Sequence, residues 1–209
     1  MTGLSRTDLR LVLVVTSRPE TPLDPETVRA AVRGGVTLVQ ARGKHLVSSD
    51  SVAFARSLLA LCSELGVPLI VNDRPDVALA VGAAGAHVGP NDLPPAAARR
   101  VLCDRVLGVS VRDGPRLRAA ENAGADYLGV GALRTTATKP EAIVLGQEGI
   151  AALVACTPVP VVAIGGVRPE DLPALFRAGA AGVAVSGGIL EAPDPEAAAR
   201  EYRRAWPEA

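Results

Sequence analysis

Aromatic side chains are almost missing from this sequence: they make up 2% of its 209 residues, with a single tryptophan, two tyrosines and two phenylalanines. The hydrophobic fraction is nonetheless 48%, so any core must be built from Val, Leu, Ile and Ala. Net charge is missing too. Lys plus Arg and Asp plus Glu each total 22, which argues against a nucleic-acid or polyanion-binding surface. Anions can then be held only by local clusters. Cysteine is sparse: Cys62, Cys103 and Cys156 are odd in number, widely spaced and without a CxxC. That excludes a disulfide framework and a zinc motif, and leaves the expectation of small buried hydrophobes. No apolar run approaches the ~20 residues that span a bilayer. Residues 1–10 carry neither a signal h-region nor a transit pattern, so a soluble, cytoplasmic protein without a membrane partner is expected.

What is present is alternation. Short β-branched runs at 11–15, 37–41, 68–71, 86–88, 106–109, 127–130, 159–164 and 182–185 are separated by Ala-rich stretches with helix signals. Asp24-Pro25 and Asp194-Pro195 read as an N-cap followed by proline at the first helical position. Arg168-Pro169-Glu170-Asp171 places proline and acids in a first turn, where the helix dipole favours them. Gly35, Gly82, Gly124 and Gly179 each end a helix before an alternate strand, a weak internal repeat of quarter-barrel spacing. Strands alternating with helices imply βαβ units, and about eight units is the count of a closed TIM (β/α)₈ barrel. Residues 1–209 read as one such domain. A doubly wound open sheet is the architectural alternative.

In a parallel barrel the residues just past the strand ends converge on one face. Four polar clusters stand at such places. Asn72-Asp73-Arg74 and Asn91-Asp92 supply two carboxylates, and hard cations such as Mg²⁺ take one or two carboxylates plus substrate phosphates. The competing reading is helix N-capping, because each acid closely precedes proline. Gln40, Arg42 and Lys44 recur at period two and so share one side of an extended segment. Arg and Lys there suit phosphate, as a rigid fork and a mobile point charge. Thr136, Thr138 and Lys139 lie in a segment without apolar periodicity, suited to a phosphate or simply to a surface loop. Gly165-Gly166 and Gly187-Gly188 follow the seventh and eighth runs, where barrels often bind phosphate. His87, inside an apolar run, reads as a barrel-lining histidine, and His45 as a loop residue. No nucleophile–base pair, nucleophile elbow or dinucleotide fingerprint is visible. Chemistry by charge stabilisation and positioning is favoured over covalent catalysis.

Taken in order, these motifs resemble the thiamine phosphate synthase family over nearly the whole chain. The likeness is carried by Gly34-Gly35-Val36-Thr37-Leu38-Val39-Gln40, Val67-Pro68-Leu69-Ile70-Val71-Asn72-Asp73-Arg74, His87-Val88-Gly89 to Asp92-Leu93-Pro94, and Leu107-Gly108-Val109-Ser110. It continues through the run from Ala123 to Gly131, Thr138-Lys139-Pro140 and Val162-Ala163-Ile164-Gly165-Gly166-Val167. The resemblance implies a TIM barrel that condenses hydroxymethylpyrimidine diphosphate with a thiazole phosphate, releasing pyrophosphate, with Mg²⁺. It implies that Gln40, Arg42, Lys44, Asn72, Ser110 and Lys139 hold the pyrimidine diphosphate, with Ala41 and Gly43 in the same substrate segment. Arg42, Lys44, Lys139 and Ser110 carry the catalytic roles on this likeness, and Asp73 and Asp92 the metal. Thr136, Ala137, Thr138, Gly166, Ser186 and Gly187 fall to the thiazole phosphate.

The sequence also departs from the family pattern. Ala41 and Gly43 stand where Leu and an acid are usual, and Pro90-Asn91 where Gln and an acid are. Ala132-Leu133-Arg134 stands where Pro and an aromatic are common, Ser17 where Asp often ends the first strand, and Gly187 where Ser is frequent. A related isomerase, thiazole tautomerase-like, would need a histidine where Arg112 stands. A non-catalytic phosphate-binding relative is the third reading. Small barrels often form homodimers, and the sequence leaves the oligomeric state open. Tyr202 and Trp206 are expected to dock the last helix.

Overall fold

The β-branched runs form eight parallel strands that close on themselves, in the order β1 to β8, with β8 returning to β1. The computed structural model describes residues 4–17, 23–135 and 143–206. The strands are β1 (Leu11–Thr16), β2 (Leu38–Arg42), β3 (Leu69–Asn72), β4 (Gly85–Val88), β5 (Val106–Val111), β6 (Tyr127–Val130), β7 (Val161–Ile164) and β8 (Gly182–Val185). Each lies within two residues of its sequence expectation, and the closed TIM barrel replaces the open-sheet alternative. The helices are α1 (Pro25–Gly34), α2 (Ser48–Leu65), α3 (Pro75–Val81), α4 (Pro95–Leu102), α5 (Gly114–Asn122), α6 (Gly146–Ala155), α7 (Leu172–Arg177), α8 (Gly187–Leu190) and α9 (Pro195–Ala205). None of the described helices is long and apolar enough to cross a membrane.

The period-two alternation of the strands sorts their side chains into two apolar shells. Val12, Val14, Leu38, Ile70, Val106, Tyr127, Val162 and Ala184 fill the barrel interior, with Leu9 from the segment before β1. Their chain neighbours, such as Leu13, Val39, Val71 and Leu107, pack outward under the helices. The interior is narrow, and glycine makes room in it. A Cβ on Gly182 would overlap the Leu9 carbonyl oxygen, so the bare backbone of β8 is what lets the chain cross the barrel floor.

The helix signals hold. Asp24 accepts from the Glu26 amide at 2.9 Å and Asp194 from the Ala197 amide at 2.9 Å. The Arg168–Asp171 start opens with a 3₁₀ turn, Pro169–Asp171, before α7. Gly35, Gly82, Gly124 and Gly179 all have positive φ after their helices. Gly66 does the same after α2, before β3, so this device is not confined to alternate strands. Tyr202 and Trp206 are buried as expected. The Tyr202 hydroxyl donates to the Val167 carbonyl at 3.0 Å, and Trp206 meets the Phe176 ring edge-on at 5.6 Å.

The cysteine expectation needs correction. Cys62 is buried, and its thiol is pushed up to about 12 by burial. Cys103 and Cys156 are exposed. Both fall at helix C-termini, where the chain turns outward before the next strand.

Candidate active site

Asp73 and Asp92 face one another at the C-terminal end of the barrel. The Asp73 carboxyl is pushed up to about 6, first by burial, then by the hydrogen-bonding contact and charge of Asp92, against the pull of Lys44 and Arg42. Lys44 Nζ lies 3.6 Å from Asp73 Oδ2. Neither acid caps a helix. The α3 cap position is Arg74 and the α4 cap position is Pro94, without side-chain capping bonds in either case. Asp73 instead sits at φ 66°, a left-handed conformation that Asp tolerates better than most residues but that still stores strain. Its amide donates to the His87 carbonyl at 2.7 Å, which fixes that geometry. Asp92 Oδ2 accepts from the Gly89 amide at 2.7 Å, closing the turn after β4. Among the described residues no cluster of three or more His, Cys, Asp and Glu offers a self-sufficient metal cage. A carboxylate pair that needs further oxygen donors suits Mg²⁺ completed by phosphate and water.

β2 delivers the cationic side of the rim. Gln40 and Arg42 are paired in register with Val14 and Thr16 of β1. Gln40 is buried and points into the barrel, where it reaches Tyr127. The Ala41 side chain lies between them but packs in the outer shell. A Cβ on Gly43 would come within 2.8 Å of Leu46. Thr16, at the end of β1, carries a buried hydroxyl with no hydrogen-bond partner among the described residues. Arg116, from the first turn of α5, braces the facing wall. Its guanidinium donates to the Gly89 carbonyl at 2.6 Å and the Ser110 carbonyl at 3.3 Å.

Below this rim runs a buried polar chain through four strands. Gln40 Nε2 lies 3.4 Å from the Tyr127 hydroxyl, that hydroxyl 3.0 Å from His87 Nδ1, and His87 Nε2 2.9 Å from Ser110 Oγ. His87 is therefore the barrel-lining histidine that was expected. Burial pushes its pKa down to about 4, against the opposing charge of Asp92 and with a smaller push from Arg116. The unfolded chain takes up this proton near 6.5, well before the folded one does. The contribution of His87 is thus complete above pH 6.5 and is lost as pH falls towards 4, by about 2–3 kcal/mol at pH 4.5. Urea denaturation in an Asp73→Asn background, where the raised Asp73 carboxyl is gone, should show this acid-side loss, and His87→Gln should flatten it.

On the opposite wall, Gly165 and Gly166 leave β7 at φ 90° and 73°. Their turn is held by Arg134, which forms a two-pronged bond to Asp171 (2.6 and 2.7 Å) and donates to the Gly166 carbonyl at 3.0 Å. Burial raises the Asp171 carboxyl, but hydrogen bonds from Arg134 and the Arg168 amide outweigh it and hold the group below its usual range. Arg134 is thus a staple between the loops after β6 and β7. Since Arg134 is itself partly exposed, Arg134→Ala should lower stability by about 1–2 kcal/mol, read by chemical denaturation. Ser186 and Gly187 follow β8 at the start of α8. Thr136, Ala137, Thr138 and Lys139 lie outside the described residues.

The described residues thus put Gln40, Arg42, Lys44, Asn72, Asp73, Asp92, Ser110, Gly166, Ser186 and Gly187 on or just below one end of the barrel. Sequence reasoning gave no role to Tyr127, Arg116 or Thr16, and met Arg134 only as part of the departure Ala132-Leu133-Arg134. Tyr127 alone carried a signal, as one of two tyrosines in the chain and the only aromatic within a strand run.

The chain is a TIM barrel with cations, a carboxylate pair and glycine turns at its C-terminal rim, the face where enzymes of this fold place their active sites. Comparison with known proteins gives the particular family. Residues 11–189 match the family described as thiamine monophosphate synthase, and the chain belongs to that family. It is 45% identical over 177 residues to the thiamine-phosphate synthase of Chloroflexus aurantiacus, covering 84% of this chain and 82% of that one. With the thiamine-phosphate synthase of Moorella thermoacetica it shares 43% over 180 residues, covering 85% and 86%. A solved structure of a thiamine phosphate pyrophosphorylase from Pyrococcus furiosus superposes with a TM-score of 0.86 at 35% identity, covering 96% of both chains.

Proposed function

We propose that this enzyme joins hydroxymethylpyrimidine diphosphate to a thiazole phosphate, giving thiamine monophosphate and pyrophosphate. The observation that carries this reading is the pairing of Asp73 and Asp92 on the same rim as Arg42, Lys44 and Ser110. Family membership supports the substrates. Asp73 and Asp92 would hold Mg²⁺, which when bound supplies charge neutralisation for the leaving diphosphate.

The chain's own residues do the rest. Arg42, Lys44 and Lys139 draw in the diphosphate and offset the charge that grows on it as the methylene C–O bond breaks. The electron pair of that bond leaves with pyrophosphate. Gln40 and Asn72 orient the aminopyrimidine, whose ring electrons support the cation left behind. Ala41 and Gly43 shape the same segment. Thr136, Ala137, Thr138, Gly166, Ser186 and Gly187 hold the thiazole phosphate, so that the ring nitrogen's lone pair forms the new C–N bond. No protein nucleophile takes part, in keeping with the lack of a nucleophile–base pair. Three unpaired cysteines suit a reducing, cytoplasmic setting.

Purified protein incubated with both substrates and Mg²⁺ should release thiamine monophosphate and one pyrophosphate per turnover, and a chelator should stop it. An isomerised thiazole as the only product would favour the tautomerase-like reading. Binding without turnover would favour the non-catalytic one.

A further inference from the structure

The chain from Gln40 to Ser110 has a direction. An amide nitrogen can only donate, so Gln40 Nε2 gives a proton to the Tyr127 oxygen. Tyr127 has one hydroxyl proton, which then points at its other neighbour, His87 Nδ1. A neutral imidazole with Nδ1 accepting must carry its proton on Nε2. That N–H donates to Ser110 Oγ. The Ser110 hydroxyl proton is then left over, free to donate to a ligand.

The opposite direction would start from the Gln40 carbonyl oxygen. It would turn every bond round and leave Ser110 donating into the barrel, offering lone pairs to the ligand. Lone pairs repel a diphosphate, whereas O–H donors bind it. The ligand chemistry and the Gln40 nitrogen therefore select the same direction.

The setting is built for this chain. A Cβ on Gly108 would lie 2.5 Å from His87 Nδ1, and one on Gly129 2.9 Å from His87 Cε1. Two strands give up their side chains here, Gly129 for the imidazole and Gly108 for the imidazole and the Tyr127 ring together. Gln40, His87 and Tyr127 are all buried, so water does not scramble the protons.

We propose that Tyr127 and His87 are positioning residues: through the Gln40–Tyr127–His87–Ser110 chain they hold Ser110 as a hydrogen-bond donor to the diphosphate. The step from Ser110 to diphosphate rests on the function proposed above. The proton arrangement of His87 does not, so the two can fail separately.

Two measurements test it. Long-range ¹H–¹⁵N spectra of the wild-type imidazoles, which need no variant to fold, should show His87 as the Nε2–H tautomer. Pyrophosphate binding with Mg²⁺ should weaken about 10-fold in Ser110→Ala, in line with loss of one donor to a charged group. Tyr127→Phe, checked for folding by its melting curve, should show a mixture of His87 tautomers and a smaller loss, about twofold for an even mixture. The double variant should be no worse than Ser110→Ala alone. An Nδ1–H tautomer in the wild type, unchanged pyrophosphate affinity in folded Tyr127→Phe, or additive losses would each overturn the proposal. An Nε2–H tautomer in a protein that makes no thiamine monophosphate would instead count against the function.

Discussion

Asp73→Ala is expected to lower kcat/KM by about 1,000-fold at saturating Mg²⁺, the scale of removing a principal electrostatic element from a transition state. Asp73 is more buried than Lys44 and is the acid whose proton affinity is raised by its partner. A cation held by these two acids would offset that raised affinity, so metal binding and ionisation of the pair would support each other. Asp73→Asn should show the converse in the metal-free protein. The folded Asp73 carboxyl binds its proton more tightly than the unfolded one, about 6 against 3.8. Between those values the folded state holds more protons, so stability falls as pH rises through the window. Replacing the carboxyl should therefore stabilise the metal-free protein at pH 7, by about 1–3 kcal/mol. Urea denaturation with chelator reads the gain, and steady-state kinetics reads the loss. Near-normal turnover in Asp73→Ala would refute the metal role.

Among the glycines of the described residues, Gly182→Ala should be the most damaging added methyl group. The new Cβ would meet the Leu9 carbonyl, a backbone atom at the barrel floor that has no rotamer to change. Overpacking of this kind costs about 3 kcal/mol or more, a fall in melting temperature of about 6–12 °C for a chain of this size. Gly66→Ala makes the contrast. Nothing lies within 4 Å of a Cβ there, but φ is +70°, so only the backbone strain of about 1 kcal/mol applies. Thermal melts of the two variants separate crowding from conformation. Equal losses would mean that the floor relaxes around the added methyl.

The strands were legible in the sequence because each is a β-branched run bounded by turn residues, and the rim was legible because polar clusters follow those runs directly. Asp73 and Asp92 were ambiguous between ligand and cap. The cap reading fell because the α3 and α4 cap positions are Arg74 and Pro94. The left-handed φ of Asp73 is fixed by its amide bond to His87, which depends on pairing between β3 and β4. The exposure of Cys103 and Cys156 was illegible because apolar helical context does not say which way a C-terminal turn faces. The His87–Tyr127 contact joins residues 40 apart, and the partnership of Arg134 with Asp171 joins residues 37 apart. Local periodicity carries no record of such meetings. They exist only because the closed sheet rolls β4 to β7 side by side.

That closure also sets a timetable for synthesis. The first strand made finds its second neighbour only when the last one leaves the ribosome, since β1 lies between β2 and β8. Until then the nascent chain carries an open edge that another chain can occupy. Refolding yield should accordingly fall as protein concentration rises, and a chain stalled before β8 should depend on chaperones to stay in solution.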